Sequence, residues 1–226
     1  MPLPQKFRTN IPQSWKKLRN LTSEDILQDI PVARMTTKDG NFFFGTKPYR
    51  TTQTRSSLSF ALSHHTEEQH AHYPAIPLKK MEKSLGMKIT TPELINPRSI
   101  RLKNFWISSH VCNTGFHRDG YDNILTVLKG VKHAFLLPPS CTRTLDGRFR
   151  PFHTPYDFFG LHTPEDIRTY TRFLPLMRVE TITPGECLYI PKGYWHAIST
   201  PYPCYALNFW FSRLRGLASI FEPLLP

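Results

Sequence analysis

Three residues of this chain have types and spacing suited to holding a metal ion. His117 and Asp119 stand two apart in Thr114-Gly-Phe-His-Arg-Asp-Gly-Tyr-Asp-Asn123, and alternate residues of an extended strand project from one face. An imidazole and a carboxylate about 7 Å apart along such a strand can close on one ion. A third donor, His196, follows 77 positions after Asp119 (196 − 119), at the end of Pro184-Gly-Glu-Cys-Leu-Tyr-Ile-Pro-Lys-Gly-Tyr-Trp-His196. Two imidazoles and a carboxylate on one side of a metal, with its other positions open, form a donor set suited to ferrous iron and oxygen chemistry.

The elements that must position these donors are strands. Asn123-Ile-Leu-Thr-Val-Leu-Lys-Gly-Val-Lys-His-Ala-Phe-Leu-Leu-Pro-Pro139 predicts a strand, a turn at Gly130 and a second strand ended by two prolines. The turn is expected to return the chain antiparallel, bringing Lys132 beside the strand of His117 and Asp119. Asn208-Phe-Trp-Phe211 predicts another strand after His196. Further upstream, Thr22–Ile30 begins with hydroxyl and acidic residues that suit a helix start, with Ile26, Leu27 and Ile30 as its apolar stripe. Pro31–Met35 predicts a short strand, Lys38–Asn41 a turn, 46–57 an exposed loop, and Ser57–His65 and Leu78–Leu85 helices.

With these strands around its metal motif, the stretch 101–212 resembles the JmjC-domain family of Fe(II)- and 2-oxoglutarate-dependent oxygenases, in particular its small hydroxylases, with a fainter likeness over 22–100. The resemblance implies a mainly β fold, a double-stranded β-helix (cupin-like jelly roll, JmjC type) with flanking N-terminal helices. It implies that His117, Asp119 and His196 are the iron ligands and that Lys132 pairs with the distal carboxylate of 2-oxoglutarate, a contact suited to a compact cation. Thr114 then matches a hydroxyl donor to the same carboxylate, and Asn208 and Asn123 match amides lining the co-substrate pocket, with strand-end hydrogen bonding as their alternative role. Tyr73, in Tyr-Pro-Ala-Ile-Pro-Leu78, matches a tyrosine that serves the co-substrate, or else packs in the core.

Two departures from the family pattern stand out. Arg118 takes a position where an aromatic is common, and Gly185-Glu186 replaces a more usual Gly-Asp. The implied chemistry consumes 2-oxoglutarate and O2, releases succinate and carbon dioxide, and hydroxylates a macromolecule, either a protein side chain or an RNA base. Trp106, Phe116, Trp195 and Trp210 are expected to enclose it. Lysine demethylation by the same chemistry, or a non-catalytic cupin-like nucleic-acid-binding protein, are the alternatives.

Composition sets the wider frame. The 226 residues fit one β-rich domain spanning 1–226, divided into a basic, flexible segment (1–21), an accessory layer (22–100), the β core (101–212) and a short C-terminal segment (213–226) that favours a monomer or weak homodimer. Cys112, Cys141, Cys187 and Cys204 include no C-x-x-C pair, which argues against a zinc ribbon or redox pair and for a reducing compartment. No apolar run is long enough for a membrane span, so a cytoplasmic or nuclear protein is expected. A mitochondrial leader is disfavoured by prolines at 2, 4 and 12.

The net charge of +12 is uneven: Lys6, Arg8, Lys16, Lys17 and Arg19 occur before any acid, and Lys79, Lys80, Lys83 and Lys88 face only Glu82. Such runs are either solvated surface or an attraction for a polyanion such as nucleic acid. His64, His65, His70 and His72 cluster without zinc spacing and are expected on the surface.

Overall fold

The computed structural model describes residues 2–42, 52–64, 70–145, 152–160 and 163–212. In chain order its first strands and helices are β1 (Gln5–Arg8), α1 (Gln13–Arg19), β2 (Pro31–Thr37), β3 (Asn41–Phe42), β4 (Thr52–Ser57), α2 (Leu58–Ser63), β5 (His70–Pro77) and α3 (Leu78–Leu85). Then follow β6 (Ile100–Ser108), β7 (Cys112–Arg118), β8 (Asp122–Lys129), β9 (Lys132–Leu137), α4 (Thr142–Leu145), α5 (Pro164–Phe173), β10 (Arg178–Ile182), β11 (Glu186–Ile190), β12 (Trp195–Thr200) and β13 (Cys204–Phe211).

From β6 onward the strands wind between two facing sheets. One contains the order β11-β8-β13-β6 and the other β10-β9-β12-β7, all paired antiparallel. This winding is a double-stranded β-helix, the jelly roll. The first sheet is extended by β1 at one edge and by β5, β2 and β4 at the other, and β3 adds to β7 in parallel.

Burial explains the strand patterns. β8 is buried at every position except Lys129 because it lies mid-sheet with both faces covered, which permits a continuous apolar run. Its outward side joins a cluster in which Trp15 and Leu18 of α1 and Leu78, Met81 and Leu85 of α3 cover Phe105, Ile107, Leu207 and Phe209. Its inward side meets Ala134, Leu136, Leu188 and Ile190 between the sheets. A third cluster sets Tyr170 and Phe173 of α5 over Phe116, Leu137 and Trp195. Each large side chain so buried contributes roughly 1.5–3 kcal/mol.

Several expectations change. The Gly130 turn is real, with φ +82°, but β8 and β9 do not pair. The chain crosses there from one sheet to the other, so Lys132 lies beside β12, which carries His196, instead of forming a hairpin with β8. Over Thr22–Ile30 the helix lasts one turn, Ser23–Asp25, closed by a capping box between Thr22 and Asp25. Ile26 is already extended, Pro31 forbids continuation just downstream, and Leu27 is exposed. Asp29 instead accepts hydrogen bonds from the first turn of α2 at Ser59.

The basic segment 1–21 is tied down by β1, which pairs with β11, and by α1, which buries Trp15 and Leu18. Within the expected loop 46–57, residues 52–57 form the edge strand β4, while 46–51 lie outside the described residues, as do His65 and 213–226. The helices expected over Ser57–His65 and Leu78–Leu85 are found as α2 and α3. The four cysteines are free and buried, and no described helix is long and apolar enough to cross a membrane.

Candidate metal centre and co-substrate cavity

His117 is the sixth residue of β7, Asp119 lies one residue beyond that strand, and His196 is the second residue of β12. Antiparallel pairing of β12 with β7 sets His196 directly opposite His117, with ring centroids 4.2 Å apart. The main chain then selects their tautomers. His117 Nδ1 is 2.9 Å from the Gly115 carbonyl and His196 Nδ1 is 3.1 Å from the Tyr194 carbonyl. A carbonyl only accepts, so each Nδ1 carries the hydrogen and each Nε2 keeps its lone pair.

Asp119 completes the group. Its Oδ2 accepts a 2.7 Å hydrogen bond from Trp210 Nε1 and stands 3.7 Å from His196 Nε2. The donor atoms of His117, Asp119 and His196 all lie within 4.8 Å of one another. Burial, reinforced by His196, pushes the His117 imidazole down to about 4, so it is neutral and able to ligate at physiological pH. Arg118 points away, its guanidinium over the rings of Trp195 (5.4 Å) and Phe152 (5.9 Å), and thus leaves the donors undisturbed.

These donors open into a cavity between the sheets. Thr114, Asn123, Lys132 and Asn208 all line it, and Leu125, Ile190 and Ile198 supply apolar wall. Lys132 is buried, and its Nζ donates to Thr200 Oγ1 at 2.9 Å. Among the described residues it has no carboxylate partner. A buried ammonium held only by a hydroxyl carries a desolvation cost that an incoming anion offsets. Asn123 Oδ1 is likewise buried without a hydrogen-bond partner among the described residues, whereas Asn208 Oδ1 accepts from Trp106 Nε1 at 2.7 Å.

The residues present therefore fit both implied groups. The imidazole–carboxylate trio offers three metal donors on one side, and Lys132 offers a cation for a carboxylate deeper in the same cavity. Lys129 is exposed, with Nζ 5.2 Å from the Tyr205 ring centroid. Gly185, with φ +91°, sustains the turn before β11, where Glu186 accepts hydrogen bonds from the amide and hydroxyl of Thr183 (2.9 and 2.8 Å).

Tyr73 is not part of this cavity. It faces the outer apolar cluster, and strand alternation turns its neighbour His72 inward instead. His72 also corrects the expectation of four surface histidines: it is buried, its ring 5.4 Å from both Phe42 and Trp106, and its Nδ1 is 3.1 Å from Ser108 Oγ. Burial, and then the charge of Lys132, hold it down to about 3. The signal for this was the period-two alternation of β5, which allows Tyr73 or His72 inside but not both. Of the four aromatics expected around the site, Trp106 and Trp210 line the cavity, while Phe116 and Trp195 belong to the cluster under α5. His153, unforeseen, bridges to the β7 edge at His117 with its ring stacked 5.9 Å away.

A jelly roll that aims two imidazoles and a carboxylate into a cavity between its sheets defines a class of β proteins suited to holding a metal. The chain belongs to the family of the cupin-like domain, which matches residues 10–216. It is 28% identical over 151 residues to the lysine-specific demethylase JMJ31 of Arabidopsis thaliana, covering 62% of this chain and 27% of that protein. It is 27% identical over 147 residues to the human bifunctional peptidase and (3S)-lysyl hydroxylase JMJD7, covering 54% and 45%. HSPB1-associated protein 1 of Mus musculus is 28% identical over 109 residues, covering 46% and 23%. The chain thus spans less than half the length of each of these relatives.

Proposed function

We propose that this chain is an Fe(II)- and 2-oxoglutarate-dependent oxygenase that hydroxylates a macromolecule. The observation that carries this reading is the buried ammonium of Lys132, without a carboxylate partner among the described residues, in the same cavity as the His117–Asp119–His196 trio. A metal site alone would serve many cupin-like proteins, whereas a metal site with a buried cation behind it calls for an anionic co-substrate. When bound, iron and 2-oxoglutarate supply the oxidising power, with O2 reduced as the oxo acid decarboxylates to succinate.

The protein's own contribution is placement. Nδ1 hydrogen bonds hold both imidazoles with Nε2 toward the metal position, and Trp210 orients Asp119. Lys132, held by Thr200, takes the distal carboxylate, with Thr114 also in the cavity wall. Leu125, Ile190 and Ile198 keep bulk water from the reacting region. Relatives named as a lysyl hydroxylase and as a lysine-specific demethylase favour a protein side chain over an RNA base as the substrate. Both outcomes begin with hydroxylation of a C–H bond, and a demethylase differs in that the bond belongs to an N-methyl group.

Incubation of the protein with peptide and RNA pools, with and without 2-oxoglutarate, followed by mass spectrometry, tests the proposal. The expected result is succinate formation together with a product heavier by one oxygen atom, dependent on Fe(II) and lost in Asp119→Ala. Absence of both 2-oxoglutarate binding and turnover in the iron-loaded protein would favour the alternative of a non-catalytic cupin-like binding protein.

A further inference from the structure

Two basic stretches that are far apart in the sequence come together on one side of the fold. Lys16, Lys17 and Arg19 lie on α1, and Lys79, Lys80 and Lys83 on α3, with Lys88 just beyond it. Both helices pack their apolar sides into the same cluster on the outer face of the large sheet, opposite the face that carries Asn208 and Trp210 into the cavity. They are also fastened to one another's neighbourhood: Trp15 Nε1 donates to the Thr90 carbonyl at 2.8 Å, and the Ser14 hydroxyl donates to Thr90 Oγ1 at 3.0 Å. The seven cations named are all exposed.

Acid balances them only in part: Asp25, whose carboxyl is lowered by hydrogen bonds from Thr22, lies close enough to Lys17 for that charge to lower it further, and Lys88 pairs with Glu82, while the other five have no acidic partner among the described residues. α1 contains none, and the only acid of α3, Glu82, is engaged within the protein. Its Oε1 accepts from the Ile89 amide at 3.0 Å and lies 3.6 Å from Lys103, and its Oε2 lies 3.9 Å from Lys88. Like charges three or four apart on a helix repel, as Lys16 with Arg19 and Lys79 with Lys83 do here. An external polyanion would relieve that repulsion.

We propose that the layer formed by α1 and α3 is a docking surface for the phosphate backbone of a nucleic acid. Six of its seven cations are lysines, point charges that accept a repeating phosphate chain without bidentate geometry. They are spread over two helices and a loop, which suits a row of charges better than a single anion. Neither helix exposes a large apolar side chain, which disfavours a lipid interface and leaves no aromatic for stacking on bases. Binding is therefore independent of sequence, positioned by backbone contacts alone. The inference stands whether or not the chain is an oxygenase.

The test uses the full chain and a labelled RNA duplex of mixed sequence, followed by fluorescence anisotropy from low to physiological salt. Two triple variants, Lys16→Ala/Lys17→Ala/Arg19→Ala and Lys79→Ala/Lys80→Ala/Lys83→Ala, should each weaken binding at low salt by at least roughly tenfold. Each should also flatten the slope of log affinity against log salt by about 0.7–0.9 for every phosphate that the variant no longer neutralises. Arg143→Ala/Arg168→Ala/Arg172→Ala removes the same charge from α4 and α5, on the outer side of the other sheet, and should alter neither quantity. Circular dichroism should show all three variants folded. Equal weakening by the α4/α5 variant, an effect confined to one of the two helices, or no duplex binding at low salt would overturn the proposal. So would competition by polyglutamate or anionic phospholipid vesicles as effective as RNA at equal charge, since it would assign the layer to an acidic protein or a membrane.

Discussion

The carbonyls of Gly115 and Tyr194 decide how His117 and His196 meet a metal, and a comparable local pairing decides what Lys132 can do. With Thr200 as its only hydrogen-bond partner among the described residues, Lys132 is arranged for an anion from outside. Lys132→Ala should leave metal binding intact and weaken 2-oxoglutarate binding by about 3–5 kcal/mol, the usual cost of breaking a buried charge pair. Lys129→Ala should change it little, and quenching of Trp106 and Trp210 fluorescence offers a direct titration. Equal effects from the two lysines would place the co-substrate elsewhere.

His72 gives a second expectation. Its folded value is about 3 against 6.5 for a free imidazole, so the unfolded chain binds its proton first as pH falls. The stability linked to His72 is complete above about pH 6.5 and is lost progressively as pH drops toward 3. His72→Phe keeps an aromatic ring between Phe42 and Trp106 but removes the titration. Urea denaturation at several pH values should therefore show a shallower acid loss in the variant, and unchanged curves would mean that His72 is not held neutral by the fold.

β9 owes its place to the corner that precedes it. Gly130 has φ +82°, and a Cβ there would press on the Pro203 carbonyl oxygen. Gly130→Ala should destabilise the protein by at least about 1–3 kcal/mol from the dihedral alone. Because β9 begins at Lys132, two residues later, affinity for 2-oxoglutarate should fall as well, while metal affinity should fall less since β7 and β12 pair independently of this corner. Thermal unfolding and the fluorescence titration measure the two effects separately.

Across the molecule, a metal held by His117, Asp119 and His196 would tie β7 to β12 on the inner side of the second sheet. Binding to the native state alone should raise stability by about 2.7 kcal/mol at a free metal concentration 100 times its Kd. Mn(II), a redox-quiet substitute for Fe(II), makes this measurable by calorimetry. Asp119→Ala should abolish the rise while the apo protein still unfolds cooperatively, because all three apolar clusters lie outside the carboxylate. A metal-induced shift that survives in Asp119→Ala would overturn the ligand assignment.

Sequence by itself determined what rests on local pattern. The spacing of His117 and Asp119, the glycine turn at Gly130, and the apolar run of β8 follow from period-two projection, turn chemistry and burial on both faces, all properties of a few adjacent residues. Lys132 was also legible, though for a neighbour it does not have: the expected β8–β9 hairpin does not form, because a turn residue states that the chain reverses and does not state which sheet it enters. Only the tertiary structure decided that β9 joins β12, that His72 and not Tyr73 turns inward, and that α1 and α3 share one face. Each of these depends on which strand lies alongside which. That choice is made by the summed burial of distant side chains, which no local spacing records.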